Sequence, residues 1–509
     1  MKSVCPAFSV PKFTSALLEL TLAPRVGIGY NSSMTLCRML VSALLLWLAF
    51  PLFAQERPSP DAVKLALRKA TDYLVSISTE GGYLWSYSAD LKQRRGEEVA
   101  TATQIWVQSP GTPAVGEAFL KAYAATRDEA HLRAALGAAN ALVRGQLESG
   151  GWSYVIEFDP KLRSQWAYHA DSTASKPDFK SRRNTTTFDD NNTQGALTFL
   201  LTFLEVATNL PPEQLKPVRA ALDFGLARML DAQYPIGAWP QRFSGEPHDP
   251  AKHPIRPASI ATNWLREWPR ADYGGFYTLN DNTQSDCIRT MLAAYRHTGD
   301  KRFLDAAKRG GDFFVLAQLP EPQPAWAQQY NYDMQPAWAR AFEPPSVCTG
   351  ESAGVVRTLG RLYLETGDEK YLRSAPAFVA WVQRSQLSSN RWARLYELET
   401  NKPIYGDRDG KIHYTLEELS AERRRGYSWQ GSFDLPETIQ WYERLRRDGR
   451  EKTLADEKRR KAPSRPNANS VAAILNRQDA SGRWTNATGI SMRQFVSNLG
   501  TLADYLATQ

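Results

Sequence analysis

The sequence is poor in cysteine and histidine. Four cysteines occur in 509 residues, and the six histidines stand apart at 131, 169, 248, 253, 297 and 413. No Cys-x-x-Cys pair and no His-Glu-x-x-His run is present, which argues against a zinc site. No Gly-x-Gly-x-x-Gly and no alternation of strands with helices appears, which argues against a dinucleotide-binding sheet. No apolar run approaches the ~20 residues that a membrane helix needs. With 42% hydrophobic and 23% charged residues, the chain is neither a disordered tail nor a collagen-like fibre. What it has in excess is tryptophan: 15 residues, recurring beside glycine and arginine as the rings that line sugar clefts often do.

The opening segment reads as a leader. Met34 is a better start than Met1, because a short basic stretch through Arg38 precedes the apolar run Met39 to Phe50 and the small Ala54. Residues 1–54 are therefore expected to be removed on export, leaving 55–509 as one domain. Cleavage takes away Lys2, Lys12, Arg25, Arg38 and Glu19, so the formal charge falls from +8 to +5. A mildly basic, exported monomer suits an anionic substrate, with neither nucleic acid nor membrane as partner. Cys287 and Cys348 survive cleavage; a disulfide and two buried thiols are both open to them.

A repeat organises the rest. Helical segments at 66–78, 136–147, 220–233, 306–318, 375–386 and 471–478 each lead to a tryptophan, in most cases behind glycine. A second helix type, with apolar residues at i, i+3, i+4 and i+7, starts near Ala118, Ala196, Ile288 and Val355. Thr-Gly-Asp at 298–300 and 366–368 supplies a glycine stop and an acidic start. Helical hairpins of this kind bury their apolar stripes only against neighbours. The expected fold is all-α: an α/α barrel, or toroid, with long irregular loops forming a cleft at one end. Pro-rich stretches at 247–257 and 319–325 read as cleft walls, and 451–469 as a surface linker.

Two polar clusters stand before helices of the second type: Thr187-Phe188-Asp189-Asp190-Asn191-Asn192-Thr193-Gln194 and Leu279-Asn280-Asp281-Asn282-Thr283-Gln284-Ser285-Asp286. A single Asp or Asn there would serve as an N-cap. Several together suit a hard cation such as calcium, which takes six to eight oxygens. Trp-Ala-Arg-x-(Phe/Tyr)-Glu occurs twice, at 338–343 and 392–397, and Asp407-Arg408-Asp409-Gly410 follows. Paired arginines beside aromatic rings match planar carboxylates. Gly350-Glu351-Ser352-Ala353-Gly354 fits the nucleophile elbow of hydrolases, but Pro344 and Pro345 ahead of it make a helix start the better reading.

Taken in order, these segments resemble the pectate lyases of polysaccharide lyase family 10. The resemblance rests on Gly150-Gly151-Trp152, the Thr187–Gln194 loop and Gln233-Tyr234-Pro235-Ile236-Gly237-Ala238-Trp239-Pro240-Gln241. It continues through Asn280-Asp281-Asn282, Ala337 to Ser346, Glu351 to Gly354, Trp392 to Glu397, Arg408 to Gly410 and Gly426 to Trp429. It spans roughly 140–435, with Ala238 in place of a second glycine and with 154–184 and 244–275 expanded. It implies calcium-dependent β-elimination of polygalacturonate. Asp189 and Asp281 would hold the Ca2+, Arg340 would be the base, and Arg394, Arg408, Trp338 and Trp239 would bind substrate. Two carboxylates are few for a tight site, so calcium is expected to arrive with substrate. The alternatives are a uronide hydrolase using Asp189 and Asp281 as a carboxylate pair, and a non-catalytic glycan-binding protein.

Overall fold

The computed structural model describes residues 57–172, 182–246, 248–460 and 466–509. The leader assigned to 1–54 lies outside them. No described helix is long and apolar enough to cross a membrane. Twelve helices of ten or more residues are present among the described residues, and they form six hairpins. The outer members are α1 (Pro60–Ile77), α3 (Glu129–Gly145), α5 (Pro212–Asp231), α7 (Lys301–Ala317), α9 (Ala375–Arg384) and α11 (Ala468–Arg477). The inner members are α2 (Thr112–Thr126), α4 (Asn192–Val206), α6 (Thr283–Thr298), α8 (Thr349–Thr366), α10 (Leu435–Arg460) and α12 (Met492–Ala507). Inner helices pack in the order α12, α2, α4, α6, α8, α10. The architecture is an α/α toroid, as the periodicity predicts.

Local chemistry separates the two rings. Four of the six outer helices start on side-chain caps: Ser59, Asp128, Asp300 and Asn467 each accept a backbone N–H of the following turn. Inner helices α2, α4, α6, α8 and α12 start without one. Gly299 and Gly367 adopt the left-handed conformation that ends α6 and α8, as the Thr-Gly-Asp motifs require.

One device recurs where outer helices end. The Gln146 amide donates to Gly150 O in its own loop and to Ala221 O on the next outer helix. Gln233 does the same to Gly237 O and Ala306 O, and Gln318 to Pro324 O and Ser374 O. Gln478 donates to Gly482 O and to Ala66 O of α1, so the same bond that links successive hairpins joins the last outer helix to the first. In the following loop a tryptophan folds back onto its helix. The indoles of Trp152, Trp239, Trp392 and Trp484 donate to Leu142 O, Met229 O, Val382 O and Ile474 O at 2.8–2.9 Å. The glycine ahead permits the turn: Gly237 has φ +100°, and a Cβ there would sit 2.1 Å from Arg309 O.

This corrects one expectation. Trp239, assigned to substrate contact, is 0% exposed and hydrogen-bonded inside the wall, so it offers no face to a sugar. Other differences are smaller. Residues 451–460, read as linker, continue α10 beyond a kink at Gly449. Two inner helices, α10 and α12, are absent from the repeat as read: α10 is strongly polar along its 26 residues, whereas α12 does carry an apolar face of Met492, Phe495, Leu499 and Leu502. Cys287 and Cys348 are buried free thiols.

Short strands close each hairpin at one rim. Thr186–Thr187 pairs with Arg242–Phe243, Tyr277–Thr278 with Gln329–Tyr330, and Val347–Cys348 with Leu395–Tyr396. The loops that enter α4, α6 and α8 therefore lie together. Replacing Gln478 by Leu strands two carbonyls and should cost about 1–3 kcal/mol. Urea unfolding that leaves the variant as stable as the parent would show that the ring closes by other means.

Candidate active site

Both acidic loops use the same backbone. Asp190 and Asn191 have φ of 52° and 56°, and Asp281 and Asn282 have φ of 50° and 61°, just before α4 and α6 begin. Asn and Asp tolerate this left-handed region better than other side-chain-bearing residues. The capping explanation fails here: neither Asn191 nor Asn282 accepts a hydrogen bond from its helix. The remaining amides build the loops instead. Asn192 donates to Trp152 O and Ser153 O, Gln194 to Phe188 O, and Gln284 to Trp239 O and Thr278 O.

The carboxylates are left for the cleft. Ligand oxygens of Asp189, Asp190 and Asp281 all lie within 4.8 Å of one another. The Tyr154 hydroxyl donates to Asp189 Oδ2 at 3.0 Å and reaches Asp190 Oδ2 at 3.3 Å. Asp189 Oδ1 is buried with no hydrogen-bond partner. Burial, then the charges of Asp189, Asp281 and Glu97, push Asp190 up to about 7. Burial and Asp189 push Asp281 up to about 6, with Arg340 opposing. The unpaired Asp189 oxygen, mutual repulsion and an all-oxygen donor set fit a hard divalent cation. Asp190 adds a third carboxylate to the two that the sequence singled out. Asp286, in the second cluster, points away and pairs with Arg289 on its own helix.

Arginines supply the other half. Arg340 Nε donates to Glu343 Oε2 at 2.7 Å, and its Nη2 donates to Oε1 of the same buried carboxylate. Burial works to lower this guanidinium's pKa, but Glu343 outweighs it and holds it above the ordinary arginine range. That pairing opposes the loss of a proton which a base would need. Arg394 donates to Ser428 O at 2.9 Å and lies 4.5 Å from the Tyr427 ring centre. Arg408, half exposed, binds both oxygens of Glu422 at 2.8 and 3.1 Å. Arg423, which sequence reasoning passed over, is buried 4.2 Å from the centre of Phe342, with its Nε unpartnered. Arg340 and Arg408 lie 4.9 and 5.7 Å from the same ring. Like charges are thus gathered on an aromatic platform that stabilises each one. The signal for Arg423 was its place in the run Glu422 to Gly426, next to Tyr427.

Glu351, in the first turn of α8, faces this group; burial and then Asp281 push it up to about 8. Ser352 beside it is fully buried and donates to Cys348 O at 2.7 Å, so the hydrolase-like motif carries no exposed nucleophile. Trp338 is also enclosed: its indole donates to Leu265 O, and it lines an apolar cavity of about 320 Å³ with Trp264 and Phe276. At 4% exposure it offers little face to a sugar, contrary to its assignment.

The rim thus joins a carboxylate cluster to an arginine-rich wall in an α/α toroid. The pectic acid lyase family model matches residues 320–391 and 383–437, the segment that holds Arg340, Arg394, Arg408 and Arg423. Similar solved structures include a family 10 polysaccharide lyase from Cellvibrio cellulosa, 21% identical over 66% of this chain and 96% of that one, with a TM-score of 0.44. A mutant of family 10 polysaccharide lyase from the same organism, in complex with trigalacturonic acid, gives 21%, 65%, 98% and 0.43. The GH76 alpha-mannanase of Bacteroides thetaiotaomicron gives 13%, 89%, 96% and 0.38. A comparison with curated proteins finds no match.

Because the folded state raises Asp190 and Asp281 above the unfolded value of about 3.9, it favours their protonated forms. Stability is fully present below that value and is lost as pH rises through the folded values of about 6 and about 7. In chelator, melting temperature should fall across this window, and Asp190→Asn should flatten the fall. Millimolar calcium should restore the wild type at pH 8. A melting curve indifferent to both would remove the cation site.

Proposed function

We propose that this protein is a pectate lyase, cleaving polygalacturonate by calcium-dependent β-elimination and releasing 4,5-unsaturated oligogalacturonides. The observation that carries the reading is the three-carboxylate cluster of Asp189, Asp190 and Asp281 on the rim that also carries the arginines gathered round Phe342. The charges of Arg340 and Arg394 act on Asp281 as well. The family-model match over the arginine half supports it. Export through the leader would bring the enzyme to a polymer outside the cell.

Asp189, Asp190 and Asp281 would hold the calcium, which would draw charge from a uronate carboxylate and so acidify its C5 proton. Arg394, Arg408 and Arg423 would grip neighbouring carboxylates and stabilise the enolate-like charge as it develops. Arg340, in its deprotonated form, would take the C5 proton; that electron pair forms the C4–C5 double bond, and the C4–O bond breaks with its electrons leaving on the glycosidic oxygen, which takes a proton from water. The difficulty is the proton that Arg340 already carries. Glu343 keeps it there, while burial and the nearby charge of Arg408 work to expel it. Turnover should accordingly begin only at alkaline pH.

Polygalacturonate at alkaline pH should give a rising ultraviolet absorbance that chelator abolishes. Reducing ends without that signal would mean a hydrolase, and binding without turnover would mean a glycan-binding protein. Arg340→Ala should lower kcat by roughly 100-fold or more, in line with the loss of a general base. Glu343→Gln removes the charge that holds the proton on Arg340, so the rise in kcat should move to lower pH. An unshifted profile would leave Arg340 as a fixed positive charge rather than the base.

A further inference from the structure

The wall around the carboxylates does not end at the cluster. A groove of about 450 Å³ runs on from it, lined among others by Ser153, Tyr154, Thr187, Arg242, Asp272 and Gly274. Tyr154 is the residue whose hydroxyl donates to Asp189, so groove and cluster share a wall. Arg242 is fixed in register by pairing with Thr187, two residues ahead of Asp189. Its backbone N–H donates to Gly274 O at 3.0 Å, and its side chain runs past the bare Gly274 backbone. The side chain is exposed, and no hydrogen-bond or ion-pair partner for its guanidinium is found among the described residues. Every arginine assigned to the cleft so far has an acceptor: Glu343, Ser428 O or Glu422.

Ring order gives the groove its meaning. Asp189 and Arg242 belong to the α4–α5 hairpin, and Asp281 and Arg340 flank the α6–α7 hairpin. Arg394 and Arg408 follow the α8–α9 hairpin. A ligand lying along the rim meets Arg242 at one end and Arg394 and Arg408 at the other, with the cluster between. Hydroxyls of Ser153, Tyr154 and Thr187 add donors and acceptors for sugar hydroxyls. Asp272 commits one oxygen to the Gly274 N–H at 2.9 Å.

We propose that Arg242 is the carboxylate-binding residue of an additional uronate subsite on the Asp189 side of the cluster. The subsite rests on the lyase reading for its ligand class, but not for its geometry. It extends the bound polymer across three consecutive hairpins. A guanidinium there also penalises a methyl-esterified residue, which offers no charge to pair.

The test compares wild type, Arg242→Ala and Arg242→Lys on polygalacturonate, on trigalacturonate and on highly methyl-esterified pectin. A parallel native gel cast with polygalacturonate, or with neutral galactan, reads binding without turnover. Losing a charge-assisted contact should raise KM on polygalacturonate roughly tenfold in Arg242→Ala. The fall in kcat/KM should be greater on the polymer than on the trimer, preference for unesterified substrate should shrink, and Arg242→Lys should recover part of each. An active wild type whose Arg242→Ala variant keeps its KM and its ester discrimination would overturn the subsite and leave the lyase standing. A wild type that is retarded by polygalacturonate without cleaving it, with retardation lost in Arg242→Ala, would keep the subsite and sink the lyase. No retardation of wild type by polygalacturonate would sink both.

Discussion

Three carboxylates with oxygens inside 4.8 Å repel one another, and much of the rim exists to hold them there. Two are carried on left-handed backbone that a free chain would leave. The loops resist because their amides are used internally: Asn192, Gln194 and Gln284 bond the backbone of Trp152, Phe188 and Trp239. Those tryptophans are in turn clamped to outer helices, and each clamp is tied to the next hairpin by a glutamine. The clusters also sit at the uncapped starts of α4 and α6, where unpaired N–H groups and the helix dipole favour negative charge. Four of the six outer helices carry ordinary side-chain caps instead.

The arginine side solves the converse problem. Arg340, Arg408 and Arg423 surround Phe342, so each charge is offset by a ring face and by a glutamate. Glu343 and Glu422 are therefore part of the cleft's electrostatics rather than incidental surface acids. Arg340 is held charged by its neighbour three residues on. Whether such a group acts as base or as fixed cation is decided by how strongly the opposing cations bear on it.

The helical hairpins were legible because amphipathic spacing and Thr-Gly-Asp stops are local properties. Clustering of Asp189, Asp190 and Asp281 was half legible. The two motifs stood before equivalent helices, but only the toroid brings residues 91 or more positions apart into one shell. Tryptophan misled. Its abundance beside glycine looks like a sugar platform, whereas Trp152, Trp239 and Trp484 are buried fasteners that close each loop on its own helix. Nothing in a Gly/Trp dipeptide tells which side of the loop the ring will take.

Sequence alone determined the repeat unit, the chemical identity of the loops and the arginine-rich character of the later hairpins. These depend on neighbours within a few turns of chain. Tertiary structure decided which charges meet, which are neutralised and which stay free. Glu343 pairs with one guanidinium, Arg289 pairs with Asp286, and Arg242 keeps its donors open among the described residues. Such pairings depend on the order in which hairpins close around the ring, because a charge's partner is set by distance in space rather than by spacing along the chain.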